Sequence, residues 1–146
     1  MLRKSGRKTS GALAIALIVA MTVGCGEKET GPERATINGT VTFNGKPIEN
    51  GMIEFIPTGN TKGPTSGGAI ENGKYDIAEK GPTLGPHKVQ IRATRNTGKM
   101  VDAGPQTGGA KVEETEQYIP AQYNIKTTLE VTILSGINKQ DFNLNK

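Results

Sequence analysis

Few side chains in this sequence of 146 residues can do chemistry, and their numbers and spacing limit which chemistry that is. His87 is the single histidine and Cys25 the single cysteine, so neither a histidine pair on zinc nor an intrachain disulfide can be built. A metal would have to be held mostly by carboxylates. Glu113, Glu114 and Glu116 form a short acidic cluster, but no Asp-x-Asp-x-Asp-Gly loop surrounds them, and a solvated run of charge is the expected reading. No metal and no cofactor are therefore expected. A nucleophilic triad would need Ser66 or Ser135, the only serines past residue 24, with His87 and one of Asp76, Asp102 or Asp141. Neither serine lies in a nucleophile-elbow motif, so His87 is expected at a strand edge with a satisfied ring, and no catalytic residue is assigned. Tyr118, Pro120 and Tyr123 can form a flat surface for a sugar or a peptide, although packing of the tyrosines beneath the adjoining polar segment is the more ordinary use.

The element that would carry Cys25 stands out by charge. The first 24 residues hold Arg3, Lys4, Arg7 and Lys8 and none of the 14 acidic residues; the rest of the chain has 14 basic residues against those 14. The formal charge of +4 belongs to this leader, and the remainder lacks the positive field that nucleic-acid binding requires. After the basic stretch comes the apolar run Ala12 to Met21, then Thr22, Val23 and Gly24 directly before Cys25, the three-part layout of a secretory signal over residues 1–24. A membrane-spanning helix takes about 20 apolar residues, so the run is too short for a good permanent span.

Gly24 before Cys25 at the end of this run resembles the lipobox of bacterial lipoproteins, with Thr22 standing where that motif usually carries an aliphatic residue. The resemblance implies diacylglycerol on Cys25, which becomes the new N-terminus and the membrane attachment point. Two or three acyl chains hold a protein stably where one does not. The competing reading is an ordinary signal peptide cut nearby, leaving a free thiol. Residues 25–34 contain Gly26 to Arg34 (GEKETGPER), too polar to bury surface, and are expected to act as a flexible tether.

Residues 35–146 read as one domain. Past the leader, 17 glycines and 8 prolines favour turns over long helices. Ile37, Gly39, Val41 and Phe43 alternate with polar residues and predict a strand, reversed by Asn44-Gly45 in a tight hairpin. Met52 to Ile56 alternates again and Pro57 closes it, leaving Thr58 to Gly68 as an exposed loop. Ala69 to Glu71 and Lys74 to Ala78 flank Asn72-Gly73 as a second hairpin, and Val89, Ile91 and Ala93 mark a further strand. Asn96 to Gln117, 22 residues of mostly Gly, Thr, Lys and Glu, is expected to be a long loop. Leu129, Val131 and Ile133 begin the last ordered part, Gly136 marks a turn, and Phe142 and Leu144 end it. About seven short strands predict an all-β antiparallel sandwich with Phe43, Phe55, Tyr75 and Phe142 dominating its core.

The order of these pieces is itself informative: Gly39 to Pro47, Gly51 to Pro57, Asn72 to Tyr75, Gly85 to Val89, Tyr118 to Asn124, and Gly136 to Asn138 leading to Asp141 to Leu144. From about Ala35 onward the chain resembles the carboxypeptidase regulatory-like, transthyretin-like lipoproteins numerous in planctomycete bacteria. That resemblance implies a prealbumin-like β-sandwich and no established enzymatic activity. Hydroxyisourate hydrolases share the related fold, but they are recognised by paired histidines, an arginine and a Tyr-Arg-Gly-Ser ending. This chain has one histidine and ends Leu144-Asn145-Lys146. The expectation is a non-enzymatic, exported lipoprotein of the bacterial cell envelope, anchored to membrane through Cys25. Its sandwich would be a structural or protein-interaction module for an unknown envelope protein, with a glycan-binding or adhesive module as the alternative and a small hydrolase behind both.

Overall fold

The computed structural model describes residues 31–146; the leader, Cys25 and most of the tether lie outside the described residues. Ten strands follow in order: β1 Thr36–Phe43, β2 Lys46–Pro47, β3 Asn50–Pro57, β4 Ser66–Glu71, β5 Lys74–Ile77, β6 Gly85–Asp102, β7 Lys111–Gln117, β8 Glu130–Ile133, β9 Ile137–Lys139 and β10 Phe142–Leu144. Two single-turn 3-10 segments, Pro105–Thr107 and Ala121–Tyr123, complete the elements. The domain is all-β and sandwich-like.

Both Asn-Gly turns form as their chemistry demands. Asn44 and Gly45 have φ of 50° and 76°, and Asn72 and Gly73 have 51° and 74°, the paired positive values of a two-residue hairpin. The β4–β5 hairpin keeps only one ladder pair, Glu71 with Lys74, and beyond it the arms part. β4 then follows β3, from Asn50–Glu71 to Phe55–Ser66, while β5 follows β1, from Ile37–Ile77 to Thr40–Lys74. This divergence produces two layers, β4-β3-β6-β8 and β5-β1 with β2, β9 and β10. The Phe55 and Tyr75 rings meet between them with centroids 6.1 Å apart, and Phe142 lies 6.3 Å from Tyr75.

Of the four aromatic residues expected in the core, Phe55, Tyr75 and Phe142 are buried, whereas Phe43 is only partly so. Isoleucines supply most of the remaining volume: Ile37, Ile48, Ile53, Ile70, Ile91 and Ile133 are fully enclosed. Burial of such side chains contributes roughly 1.5–3 kcal/mol each. Ile48 sits outside any alternating run, in the link after β2, where its amide donates to the Val41 carbonyl and its carbonyl accepts from Gly73.

The all-β, nearly all antiparallel architecture is as expected; one detail is added to it and two expectations are corrected. First, β9 and β10 both run parallel to β1. β8 pairs antiparallel with β6, and after Gly136 the chain crosses to the other layer instead of folding back on β8, so β9 emerges in the direction of β1. β1 changes partners midway, from β5 and β9 over its first half to β2 and β10 over Val41–Phe43. Gly39 makes this possible, since a Cβ there would overlap the Gln140 carbonyl. Secondly, the loop after Pro57 ends before Ser66, and Gly67 and Gly68 belong to β4. A Cβ at Gly68 would come within 2.9 Å of Ile77, so glycine here serves close strand packing. Thirdly, Asn96 to Gln117 is not a loop but the far part of an 18-residue strand and its return.

The sandwich has two ends of different character. At one, the N-terminal pole, lie Arg34, the loop after Pro57, the link to β6 and the β8–β9 turn. The other carries both Asn-Gly turns and the β6–β7 extension.

Candidate functional site

Past Ala93, β6 leaves β3 and pairs with β7 alone, forming a two-stranded ribbon. Thr94–Gln117, Arg95–Glu116 and Asn96–Thr115 face each other; Thr97, Gly98 and Lys99 then stand against Glu114; and Met100–Glu113, Val101–Val112 and Asp102–Lys111 resume the ladder. Gly98, with φ of 77°, accommodates the bulge. The glutamates expected to be a solvated charge run are cross-strand partners. Glu116 accepts from Arg95 Nε at 2.7 Å and sits 2.6 Å from its Nη2, Glu113 accepts from Asn96 Nδ2 at 2.7 Å, and Glu114 accepts from the Thr97 hydroxyl at 2.9 Å. Exposed pairs of this kind contribute modestly, 1 kcal/mol or less as a rule.

No residue between Thr94 and Gln117 is buried. Met100 is 59% exposed, Val112 48% and Val101 38%, and the two valines stand directly opposite each other on one face. The root is fixed more firmly. Gln117 Oε1 accepts from the amides of Ala93 at 3.0 Å and Ile119 at 3.2 Å, Ile119 is buried, and Asn124 Nδ2 donates to its carbonyl at 3.0 Å.

Between this root and the β1–β2 turn opens a cleft of about 750 Å³, whose walls include Phe43, Lys46, Glu49, Asn50, Arg95 and Tyr118. Phe43 meets Tyr118 edge-on at 5.8 Å, and the Arg95 guanidinium lies over the Tyr118 ring, 5.4 Å from its centroid. Burial, and after it the charge of Glu49, push the Tyr118 phenol above its usual value, with Arg95 opposing. The phenol is thus a neutral hydrogen-bonding group. Tyr123 packs against the core and its hydroxyl accepts from the Asn145 amide at 3.2 Å, so both tyrosines have the packing role expected of them.

The candidate triad residues are engaged elsewhere. Ser66 donates to the Lys80 carbonyl at 2.7 Å and Ser135 to Glu33 at 2.6 Å, while Asp141 accepts from the Thr40 amide and hydroxyl at 2.7 and 2.8 Å. Asp102 lies out on the ribbon opposite Lys111, and Asp76 is exposed on β5. His87 is not at a strand edge: it lies between Pro57 of β3 and Val131 of β8 and is fully buried, because β8 covers the outer side of β6. Nor is its ring fully satisfied. Nδ1 is 3.0 Å from the Gly85 carbonyl, and Nε2 has no protein partner. Among the described residues, no three His, Cys, Asp or Glu side chains are grouped to hold a metal ion, and no helix is long and apolar enough to cross a membrane.

Cys25 and residues 26–30 lie outside the described residues, but Glu33 and Arg34 are located. The Glu33 carbonyl accepts from Leu84 at 3.3 Å, and Arg34 Nη1 donates to the Gly81 carbonyl at 2.9 Å, which fixes the start of the domain at the pole opposite the ribbon. The ribbon residues Arg95, Met100, Val101 and Val112 sit among glycines, and Lys111 to Gln117, with Val112 its single apolar residue, carries no period-two alternation that would have marked a strand.

The fold and site thus define an all-β, sandwich-like domain with a protruding ribbon. No protein-family model and no curated protein matches the chain. Among solved structures it is similar to a 9R-lipoxygenase from Cyanothece PCC8801, at a TM-score of 0.36 and 14% identity, over 96% of this chain and 18% of that one. The chain spans about a fifth of that enzyme's length, and a likeness at this score carries no argument.

Proposed function

We propose that this protein is an exported, lipid-anchored lipoprotein of the bacterial cell envelope whose sandwich is a non-enzymatic module presenting the ribbon to another envelope protein. One observation carries the interaction half of this reading: among the described residues, an apolar face of Val101 and Val112 stands uncovered at the pole opposite Glu33 and Arg34. A ribbon with open edges and a small apolar face is suited to strand addition or to a shallow groove on a partner. The anchoring half rests on the leader and on Gly24-Cys25, and the motif order shared with transthyretin-like, carboxypeptidase regulatory-like lipoproteins supports the whole. Binding of a glycan is less well supported. Sugar rings stack on open aromatic faces, whereas Tyr118 is covered by Arg95 and abutted by Phe43.

The test uses the full chain made in an exporting bacterium. A photo-reactive residue at Val112 should cross-link to a protein in intact envelopes, and one at Met52, equally exposed on β3, should not. The intact mass of the membrane-extracted chain should show diacylglycerol on a chain beginning at Cys25. An unmodified thiol would overturn the anchor, and adducts only to glycan, or none at Val112, would overturn the protein-binding role.

A further inference from the structure

We infer that the β8–β9 turn is a membrane-contacting surface, with Leu134 and Ile137 entering the interfacial layer of the bilayer that holds Cys25; this rests on the lipoprotein reading above. Single exposed apolar residues need no partner. Here two of the most exposed large apolar side chains among the described residues, Ile137 at 79% and Leu134 at 67%, belong to one four-residue turn. The turn is stiff. Asn138 Oδ1 accepts from the Leu134 amide at 3.0 Å, its Nδ2 donates to the Leu134 carbonyl at 2.8 Å, and Gly136 takes a φ of 90°. Both side chains are held out instead of collapsing onto the sandwich.

Position decides the occupant. The Ser135 hydroxyl donates to Glu33 at 2.6 Å and the Thr36 amide to the Gly136 carbonyl at 3.0 Å, so the turn is pinned to the first residues of the domain. Cys25 precedes Glu33 by eight residues, a chain that spans at most about 29 Å when fully extended. A lipid on Cys25 therefore keeps this turn, and no other exposed apolar pair, close to the bilayer. Arg34 and Lys80 stand at the same pole as the Glu33 carboxylate, with Arg34 bonded to the Lys80 and Gly81 carbonyls at 3.4 and 2.9 Å. The ribbon valines lie a full β1 and most of a ribbon further away.

The experiment uses the lipidated full chain with Leu134→Cys or, as reference, Met100→Cys, each carrying an environment-sensitive fluorophore. The lipid on Cys25 blocks its sulfur, so the introduced thiol alone is labelled. In vesicles of three parts phosphatidylcholine to one part phosphatidylglycerol containing a lipid-borne quencher, quenching at position 134 should exceed that at position 100 at least twofold. Adding Ile137→Ser should reduce it. With the Cys25 lipid verified by mass, equal quenching at both positions would overturn the inference and leave the anchor standing. So would a water-free but unquenched label at 134, which would mean that protein covers the turn. A chain without lipid on Cys25 would instead overturn the anchor, and this inference with it.

Discussion

The N-terminal pole of the sandwich and the ribbon at its other end are built on different physical principles. At the N-terminal pole backbones approach so closely that side chains are excluded: a Cβ on Gly81 would overlap the Ala35 carbonyl, and one on Gly63 would lie within 2.5 Å of Thr83. Thr83 and His87 are wholly buried there. The opposite pole runs out into a ribbon in which nothing is buried and whose strands are held by charged and polar cross-strand pairs. Close packing resists substitution because every change meets a neighbour, while surface pairs tolerate it. The difference separates what holds the fold from what does not: the first pole and the layers are close-packed, and the exposed ribbon leaves its sequence freer to vary.

The largest effect should come from breaking the joint between the two ends. β1 serves both, changing partners beside Gly39, and Gly39→Ala would drive a methyl into the Gln140 carbonyl. Overpacking against backbone costs typically 1–3 kcal/mol and occasionally more. A loss of about 3 kcal/mol is expected in chemical denaturation, with both poles losing protection together in hydrogen exchange. Retention of either pole's protection would show that β1 does not unite them.

Removing the ribbon should have a smaller effect on stability and, under the proposed function, should abolish the envelope-protein cross-link. Because Thr94 and Gln117 face each other in the ladder, Arg95 to Glu116 can be replaced by Asn-Gly, which closes a two-residue hairpin in register. The expected change in unfolding free energy is about 1 kcal/mol, since exposed pairs and the Arg95 contact over the Tyr118 ring are lost while the Gln117 bonds at the root remain. A loss well above 2 kcal/mol on that scale would mean that the ribbon is part of the fold's support, and the contrast between the poles would fail.

These same differences set what could be read without coordinates. Asn44-Gly45 and Asn72-Gly73 were legible because few residue pairs accept two consecutive positive φ values, and β1, β3 and β6 because alternation is a local signal. The ribbon was not, since Gly98, Gly104, Gly108 and Gly109 give it the composition of a loop, and the pairing of Asn96 with Thr115 is a long-range fact. The parallel arrival of β9 beside β1 depends likewise on a crossing between layers. Leu134 and Ile137 carry no local signal of their exposure, and only the turn's geometry shows them facing outward.

The smallest expected effect lies at the joint itself and turns on one charge. Asp141 sits in the link between β9 and β10, and the Thr40 hydroxyl, then the Thr40 amide, hold its carboxyl below the ordinary carboxylate value; Lys139 adds to this against slight desolvation. A carboxylate whose pKa is lowered by folding stabilises the fold at pH values above its unfolded value, near 4, and the contribution fades as pH falls through the lower folded value. Asp141→Asn keeps an acceptor oxygen and removes the charge. The variant should therefore melt below the parent at pH 7, and the gap should begin to close as pH falls below about 4 and close fully as pH passes the lower folded value, where the native parent's own carboxyl gains its proton. Thr40→Val, which removes the hydroxyl donor but not the amide, should give a partial version of the same curve. A gap that is unchanged between pH 7 and pH 3 would show that the shape of the Asp141 side chain, not its charge, secures the point where β1 passes from one set of partners to the other.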